Sequence, residues 1–281
     1  MKTFETLESR YIFTGALVLK EAMHVGSGEG DERADSLFTR SNGKFYIPGS
    51  SLRGALRSAV ERIACALGKN TCLLFDGSSS NTCVTSKPEL IKNEKETVEK
   101  GGGKWDEKKA CDFLQGNLCD TCKVFGSTHF ASKVKITDLY PKKNSVPKDA
   151  VRCGVGIDRD TETASEGALF EIEVVEKDCQ FDFELIAENL DGKEEWGLLC
   201  LGLWEMMRKK EEGGAFYIGA KSAAGLGRCE LNLQKIEYFD NAKPWGLREY
   251  LQGELKCESD KDFVKKKVKE YLELSGGVIH A

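Results

Sequence analysis

The cysteine spacing in the first half of the chain is suited to binding a metal ion. Cys119 and Cys122 form a C-x-x-C pair, Cys111 precedes them, and Cys72 and Cys83 lie further upstream. A C-x-x-C pair combined with two more distant cysteines can close a tetrahedral zinc site. We therefore predict one zinc ion with the ligands Cys83, Cys111, Cys119 and Cys122, and with Cys72 as the alternative to Cys83.

We expect this zinc to be structural. The segment 68–123 is polar and rich in Gly and Ser, so it lacks the material for a core of its own, and a metal would explain how it stays ordered. A catalytic zinc is not indicated, because no H-x-E or H-E-x-x-H motif accompanies the cysteines. The alternative is a thioredoxin-like redox pair. That pair would follow a buried strand, and the preceding residues, LQGNL, do not form one.

A second group of residues, in the stretch YIPGSSLRGALR, is suited to binding an anion. Ser50 and Ser51 stand where a helix begins, and a serine N-cap leaves backbone N–H groups pointing outward. Arg53 and Arg57 are one turn apart on that helix, and guanidinium groups form paired hydrogen bonds with phosphate. The stretch therefore predicts a phosphate site. The alternative is an ordinary capped helix with solvated arginines.

A third group lies in the glycine-rich stretch IGAKSAAGLGRCEL, residues 218–231. Glycines allow the backbone to approach a ligand closely, and the lysine and serine can contact phosphate. The stretch contains neither the G-x-x-x-x-G-K-[ST] motif nor the G-x-G-x-x-G motif. The candidate ligand-binding residues are Gly219, Lys221, Ser222, Gly225 and Gly227; the alternative is a plain loop between two strands.

A fourth group is acidic and lies in the loop GSGEGDERADSLFTR. Asp31, Glu32 and Asp35 are candidates for acid–base work or for binding a divalent cation. The alternative is a solvated turn. His24 ends the preceding strand, and a lone histidine of this kind is more often packed than catalytic.

The elements that must position these residues mix strands and helices in small groups, which predicts an α+β fold. Alternation of apolar residues and turn signals predicts strands, at 11–25, 37–39, 44–47, 132–139, 170–175, 180–186, 215–218 and 228–238. Two hairpins are expected. One joins 37–39 with 44–47 around Ser41-Asn42-Gly43, with Asn-Gly as the turn signal, and the other joins 170–175 with 180–186 through residues 176–178. Helical periodicity predicts helices at 51–67 and 196–208 and two helical pieces within 246–274.

The bulk composition limits the function classes. The net charge of −5 excludes a wholly basic nucleic-acid binder, although a local basic groove is still compatible with it. We find no apolar run of the roughly 20 residues that span a bilayer, and no signal-peptide core at the N-terminus. We therefore expect a cytoplasmic protein that does not associate with a membrane. With 11 cysteines, an odd number, a disulfide framework is not expected there.

The order of these motifs is more specific than any one of them. H-V-G-S-G, A-D-S, Y-I-P-G-S-S-L-R-G-A-L-R, C-D-T-C-K-V-F-G-S, S-K-V-K-I-T-D, G-V-G-I-D-R-D-T-E-T-A and A-A-G-L-G-R follow one another along the chain. The chain resembles the RAMP superfamily of CRISPR proteins over roughly residues 12–236. Within it, the chain more closely resembles the repeated backbone subunit of type III RNA-guided effectors.

The resemblance implies a single RAMP domain over 1–281, built on an RRM-like (ferredoxin-like) palm. It also implies a zinc-binding insertion at 68–123, a β-hairpin thumb at 138–175 and a C-terminal helical segment at 244–274. Subunits of this kind stack along a guide RNA (crRNA), and their thumbs reach over a neighbour. The insertion is longer than in the plainest members, which points to a less common type III subtype.

The resemblance also implies residue roles. The family cleaves target RNA with an aspartate and a divalent cation, Mg or Mn, and the matching residue is Asp35. Ala34 before it is a mild departure, because the family usually has a more apolar residue there. Implied partners are target RNA, other RAMP subunits and a large signature subunit. The implied guide-RNA contacts are His24, Ser50, Ser51, Arg53, Arg57, Lys133, Arg159, Lys221, Ser222, Gly225 and Gly227.

Three alternatives to an RNA-cutting backbone subunit stay open at this point. The first is a backbone subunit that binds RNA without cutting it, which replacing Asp35 in an assembled complex would distinguish. The second is an endoribonuclease that processes the guide precursor. It would need a catalytic His or Tyr/Lys set in a two-palm chain, and here one palm and one spare histidine, His129, can be counted. The third is a zinc-stabilised protein-interaction domain without RNA.

Overall fold

The computed structural model describes residues 5–72, 83–244, 246–258 and 260–274. Its strands are β1 (Ser9–Leu19), β2 (Arg40–Ser41), β3 (Lys44–Phe45), β4 (Val134–Ile136), β5 (Asp149–Ile157), β6 (Ala164–Val175), β7 (Gln180–Glu188), β8 (Cys229–Asp240) and β9 (Lys256–Glu258). Its α-helices are α1 (Gly49–Ala66), α2 (Glu89–Lys100), α3 (Glu107–Asn117), α4 (Asp120–Phe125), α5 (Gly192–Met207), α6 (Leu247–Leu251) and α7 (Asp260–Leu274). The predicted α+β class is confirmed.

The main sheet has five antiparallel strands in the order β4-β7-β1-β8-β9. β1 lies at its centre because alternate residues of this strand are apolar and buried, among them Tyr11, Phe13, Leu17 and Leu19. Helix α1 follows β1, and helix α5 connects β7 with β8. Each of the two helices therefore connects strands of the same sheet.

An aromatic cluster joins the sheet to the helices. Tyr11 of β1 stacks on Tyr238 of β8 with ring centroids 4.8 Å apart, and it meets Trp196 of α5 edge-on at 4.5 Å. Phe263 of α7 packs against the same tryptophan at 5.6 Å. Aromatic pairs at such distances add to the apolar burial that fixes helices on a sheet. The main core therefore lies between the sheet and helices α1, α5 and α7.

One predicted hairpin is confirmed and one is wrong. β2 and β3 pair around Asn42 and Gly43, whose φ angles of 50° and 75° suit the tight turn that Asn-Gly favours. The predicted hairpin between 170–175 and 180–186 does not form. Instead β6 pairs with β5, whereas β7 pairs with β1 and β4. Residues 176–178 mark the passage from one sheet to the other.

The cysteine-rich insertion has a small apolar core, contrary to the prediction that it has none. Helices α2, α3 and α4 lie in this segment. Their core is centred on buried cysteines, with Val84 and Leu118 buried and Leu90, Ile91 and Phe113 packed around them. The core is too small to be recognised from the composition, because four of its six buried members are cysteines.

The two-stranded sheet of β5 and β6 projects apolar side chains into solvent. Val151, Val155, Ile157 and Leu169 are exposed by between 42% and 65%, which is unusual for β-branched and aliphatic residues on a hairpin unless something covers them. This hairpin lies inside the segment expected to be a thumb.

In the C-terminal segment, α6 and α7 lie within the predicted helical region, and the strand between them, β9, is not among the predicted strands. Among the described helices, none combines the length and apolarity that crossing a bilayer requires.

Candidate functional site

Asp35 lies exposed on the loop after β1, and the base of the β5–β6 hairpin holds this loop in place. The backbone N–H of Glu171 donates to Oδ2 of Asp35 at 2.7 Å. The residue after Asp35, Ser36, forms a parallel β-bridge with Ile172 of β6. Among the residues that the structure describes, Oδ1 of Asp35 accepts no hydrogen bond. The carboxylate is therefore oriented by one oxygen and open at the other.

A buried carboxylate, Glu173, fixes the loop on both sides of Asp35. Its side chain is about 1% exposed and binds Arg33 at 3.3 Å and Arg40 at 2.6 Å. It also accepts the backbone N–H of Phe38 at 2.9 Å. A buried charge is tolerated only when it is paired and hydrogen-bonded, as here. This residue is not among those predicted from the sequence, although an acid inside the apolar run of β6, FEIEVV, is a signal that could identify it.

The other two acids of the loop differ from Asp35 in their surroundings. Asp31 accepts the backbone N–H groups of Arg33 at 2.8 Å and of Ala34 at 3.1 Å. These hydrogen bonds, the one from Arg33 first, lower the pKa of the Asp31 carboxyl group. Asp31 therefore shapes the loop, while Glu32 is exposed beside it.

His24 is buried beneath the same loop. Its Nδ1 lies 2.6 Å from the carbonyl oxygen of Glu173, and its Nε2 lies 3.1 Å from Oγ of Ser36. The predicted direct contact of His24 with RNA is therefore not available in this structure, since both ring nitrogens are engaged inside the protein. The histidine links β6 to the residue that follows Asp35.

The glycine-rich loop between residues 218 and 229 lies against this histidine. The backbone N–H of Ala220 donates to the carbonyl oxygen of His24 at 2.9 Å. A Cβ atom at Gly219 would lie 2.2 Å from that oxygen, and one at Gly227 would lie 2.1 Å from the carbonyl oxygen of Ile218. Both glycines also have φ angles near +86°, which only glycine adopts without strain. The glycines thus serve close backbone packing.

Two polar residues of the glycine-rich loop are exposed next to the hairpin. Lys221 and Ser222 are both exposed, as is Gly225, and the Nζ of Lys221 lies 3.6 Å from the ring centroid of Phe170 on β6. Gly227 is buried. The structure therefore brings the Asp35 loop, His24 and Lys221 together around the base of one hairpin. Arg159 lies apart, exposed in the turn at the tip of that hairpin.

The start of helix α1 differs from the predicted serine cap. The helix begins at Gly49, after Pro48, and no side chain of the preceding residue caps it. Instead Oδ1 of Asp138 accepts the N–H of Gly49 at 2.8 Å, so a carboxylate from the segment after β4 occupies the first position that an anion would take. Ser50 is exposed and Ser51 is half-buried. The serine N-cap prediction is wrong because a distant aspartate supplies the cap.

Two arginines of α1, Arg53 and Arg57, point to the end of helix α4 rather than to solvent. Arg53 donates to the carbonyl oxygen of Phe125, and Nη1 of Arg57 donates to that of Gly126 at 2.9 Å. The last carbonyl groups of a helix lack partners within the helix and attract cations. Arg57 is buried, with 5% of its surface exposed. The predicted contact of Arg57 with RNA is therefore replaced by a structural role.

Four buried cysteines lie together beside the guanidinium group of Arg57. Their sulfur atoms all lie within 4.8 Å of one another, and they belong to Cys72, Cys83, Cys119 and Cys122. Cys111 is not among them, since it lies half-buried on α3, where Gln115 donates to its sulfur at 3.8 Å. The predicted ligand set is therefore corrected at one position. Cys72 joins the cluster, and it does so together with Cys83 rather than in its place.

The cluster fits a tetrahedral thiolate site. Zinc binds four cysteine sulfurs at about 2.3 Å, which separates them by roughly 3.8 Å, within the spread found here. The sulfurs also receive outer hydrogen bonds: Nη2 of Arg57 donates to Cys122 at 3.3 Å, the N–H of Cys119 donates to Cys83 at 3.3 Å, and Oγ1 of Thr85 lies 3.2 Å from Cys122. Such outer partners orient metal ligands.

The contacts within the cluster favour the thiolate form at two of its four cysteines. Hydrogen bonding with Cys122 and Cys72 lowers the pKa of Cys119 to about 7, and the pKa of Cys83 is lowered by its neighbours, Cys119 foremost. The same hydrogen bonding, with Cys119 foremost, raises the pKa of Cys72 and of Cys122. Thiolates are the form that binds a metal. Burial opposes the charge of Arg57, yet its hydrogen bond to Glu61 and the attraction of Cys122 raise its pKa. A guanidinium beside the cluster offsets its negative charge.

Lys133, expected to contact RNA, is completely buried. Its Nζ lies 2.6 Å from Oε2 of Glu195 on α5, and the exposed fraction of its side chain is 0%. Burial raises the pKa of Glu195, and the lysine opposes that change. In this structure the lysine therefore presents no surface to a ligand. The alternation of SKVKITD does not distinguish an inward lysine from an outward one.

Comparisons with known proteins give a family and a relative for this chain. The family model for the RAMP superfamily matches residues 17–230. A similar protein is the CRISPR system Cms endoribonuclease Csm3 of Methanocaldococcus jannaschii, which is 23% identical over 276 residues, covering 92% of this chain and 91% of that protein. The matched region includes the Asp35 loop, helix α1, the cysteine cluster and most of the glycine-rich loop. This chain belongs to the RAMP superfamily.

Proposed function

We propose that the protein is a backbone subunit of a type III CRISPR effector that binds guide RNA and cuts complementary target RNA. The observation that carries the proposal is the match, over nearly the full length of both chains, with a relative named as a CRISPR endoribonuclease. The membership of the RAMP superfamily supports the same function. Its partners would be guide RNA, target RNA, other RAMP subunits and a large signature subunit, in the cytoplasm.

The strand order supports an RRM-like, ferredoxin-like palm. If β1, β4, β7 and β8 are taken as the four palm strands, with α1 after the first and α5 after the third, the chain runs β-α-β-β-α-β. The same strands lie side by side in the order β8-β1-β7-β4, which is the antiparallel order of that motif. On this proposal α2–α4 form the insertion and the β5–β6 hairpin forms the thumb.

The proposed guide-RNA surface is narrower than the resemblance implied. Ser50, Lys221, Ser222 and Gly225 are exposed and Ser51 is half-buried. All five keep their proposed role as contacts to the RNA backbone. Arg159, at the tip of the β5–β6 hairpin, keeps its proposed role as a contact between the thumb and RNA. Buried or internally bonded residues leave the set, and we assign them to positioning instead; they are His24, Arg53, Arg57, Lys133 and Gly227.

The proposed chemistry is cleavage of an RNA strand by attack of its own 2′-hydroxyl group. Such a reaction depends on in-line alignment and on charge stabilisation. Asp35 is suited to it because Glu171 orients one carboxylate oxygen and leaves the other open to a 2′-hydroxyl proton or a cation. When bound, a divalent cation (Mg or Mn) would supply positive charge near the scissile phosphate.

We further propose that the cluster of Cys72, Cys83, Cys119 and Cys122 holds a structural zinc ion. The buried sulfurs, their mutual distances and their outer hydrogen bonds support this. The insertion has few other buried apolar groups. Its order should therefore depend on the metal.

A binding-only subunit is the second candidate function. The observation that favours it is the same hydrogen bond from Glu171 to Asp35, because a carboxylate engaged by backbone is less free to take part in a reaction. Under this candidate the loop would serve only to dock the hairpin. Replacing Asp35 in an assembled complex separates the two candidates.

Co-purification tests the proposed function directly. Protein produced together with its partner subunits and a guide locus should carry short RNA of uniform length, detected by its ultraviolet spectrum and identified by sequencing. Guide-derived sequences in stoichiometric amount would support the proposal. A complex that assembles without RNA would contradict it and favour a protein-interaction domain.

A further inference from the structure

A groove lies between the β2–β3 hairpin and the loop 140–147. Its volume is about 560 Å³. The two walls are joined at the bottom, because Ile47 and Leu139 exchange both backbone hydrogen bonds, each 2.9 Å long. The groove therefore belongs to the frame of the protein rather than to a gap between independent loops.

Both walls are held in shape without a ligand. On the loop side, the N–H of Gln180 donates to Oγ of Ser145 at 2.8 Å, and the N–H of Lys142 donates to the carbonyl oxygen of Gln180 at 2.9 Å. On the hairpin side, the Asn42-Gly43 turn closes two paired strands. A ligand could therefore enter a groove that already exists, which lowers the cost of binding.

The groove offers aromatic and apolar surface to solvent. Tyr140 is 40% exposed and stacks on Tyr46, with ring centroids 5.6 Å apart and planes 19° apart. Phe45 lines the opposite wall, and Val146 at the rim is 82% exposed. Exposed aromatic side chains held by stacking are the surfaces on which unpaired bases stack in proteins that bind single-stranded nucleic acid.

The charge of the groove is one-sided. Lys44 and Lys143 line it, and no carboxylate does. Among the residues that the structure describes, neither lysine forms an ion pair. On the other side of Tyr140, a second groove is lined by three acids, Asp138, Asp182 and Glu184, and by one lysine, Lys142, which pairs with Asp182 at 3.7 Å. An anionic ligand is therefore attracted to the first groove and repelled by the second.

We propose that the first groove binds one unpaired nucleotide of an RNA strand. The base would lie against Tyr140 and Phe45, and the adjoining phosphates would lie near Lys44 and Lys143. This inference rests on the proposed RNA-binding function and deepens it, since it adds a base-stacking site to contacts that involve only the RNA backbone. A nucleotide fits better than a protein segment, because it carries a flat ring and an anionic phosphate next to each other, which match the aromatic surface and the two lysines.

Binding of a short, labelled, single-stranded uridine oligonucleotide to the full-length chain tests the proposal. Tyr140→Ala should weaken binding on the order of tenfold, as expected for loss of one stacked base, and Tyr140→Phe should restore it. The double change Lys44→Gln with Lys143→Gln alters only exposed residues, so folding is not at risk. It should lower the slope of binding against salt by about 1.4, or roughly 0.7 per lost phosphate contact.

The matched control is Lys92→Gln on helix α2, which alters an exposed lysine outside the groove and should leave the affinity and salt slope unchanged. Unaltered affinity in both Tyr140→Ala and the double lysine variant would overturn the groove proposal while leaving RNA binding itself intact. Failure of the unaltered chain and its complex to bind any RNA would overturn the proposed function as well. Lost self-association with unchanged RNA affinity would assign the groove to a second copy and overturn the proposal.

Discussion

The guanidinium group of Arg57 lies 3.3 Å from the sulfur of Cys122 and joins helix α1 to the cysteine cluster. The same side chain binds Glu61 at 2.7 Å and the carbonyl oxygen of Gly126 at 2.9 Å. One buried arginine therefore connects the helix that begins beside the proposed RNA surface with the proposed zinc site. The spacing of Arg53 and Arg57 predicts a phosphate site, but the contacts of Arg57 make it part of the protein interior.

Arg57→Ala should destabilise the protein rather than weaken RNA binding in a specific way. It removes the partner of buried Glu61 and exposes a cysteine sulfur, and breaking a buried ion pair costs about 3–5 kcal/mol. The free energy of unfolding should fall, and a chelator should remove zinc faster. Arg62→Ala, an exposed arginine on the same helix, is the control and should change neither. A normal stability with a reduced salt slope of RNA binding would return Arg57 to the phosphate contacts.

Cysteine replacements should separate the structural ligand set from the one predicted by spacing. Cys72→Ser should reduce the zinc content measured by elemental analysis and expose the insertion to protease, because a fourth thiolate is lost. Cys111→Ser should retain one zinc per chain. The reverse pattern would contradict the cluster. Zinc well below one per chain in the unaltered protein would contradict the metal site altogether.

Lys133→Ala should lower the free energy of unfolding, as replacement of a buried core residue does. It leaves the carboxylate of Glu195 buried without its partner, and such changes cost about 3–5 kcal/mol. Replacing both members, Lys133→Met with Glu195→Leu, should recover much of the stability, since an apolar pair no longer requires charge compensation. Urea denaturation measures both. If Lys133→Ala keeps full stability and instead loses RNA affinity, the residue must be exposed in the working protein.

Glu188 should make stability depend on acid pH. Burial alone would raise the pKa of its carboxyl group, but hydrogen bonds from Lys135 and Arg10 hold it below its usual value of 4.5. Because the pKa is lower in the folded state, the ionised carboxylate stabilises the folded protein at pH values above 4.5. This contribution is lost as the pH falls through the folded-state pKa. Glu188→Gln should therefore destabilise the protein at neutral pH, and the difference should shrink in acid. A difference independent of pH would contradict the assignment.

Local sequence patterns predicted the elements better than their partners. The Asn42-Gly43 turn and helix α1 follow from local preferences, and both form. The turn at 176–178 has equally good local signals, but it does not close a hairpin. β6 pairs instead with the strand just before it, β5, and β7 pairs with β1, which is distant in sequence. Pairing of this kind depends on tertiary burial, which single-sequence patterns do not contain.

The candidate site shows the same division between residue type and environment. Cys119 and Cys122 were identified by their spacing, whereas choosing Cys72 over Cys111 requires the fold, because any cysteine upstream satisfies the spacing. Arg57 and Lys133 are residue types that usually lie at the surface. Their burial follows from helix α4 and from Glu195 on α5, which pack on them from distant parts of the chain.

Cleavage by the assembled complex tests the central proposal most directly. A guide-complementary, end-labelled RNA is incubated with divalent cation and complexes that carry unaltered protein, Asp35→Ala, Asp31→Ala or Glu32→Ala. We expect the Asp35→Ala complex to assemble and bind target normally but to yield no product at the positions of this subunit, and the other two variants to cut. Product at the same positions in the Asp35→Ala complex would contradict the proposal and transfer the role to another carboxylate or another subunit.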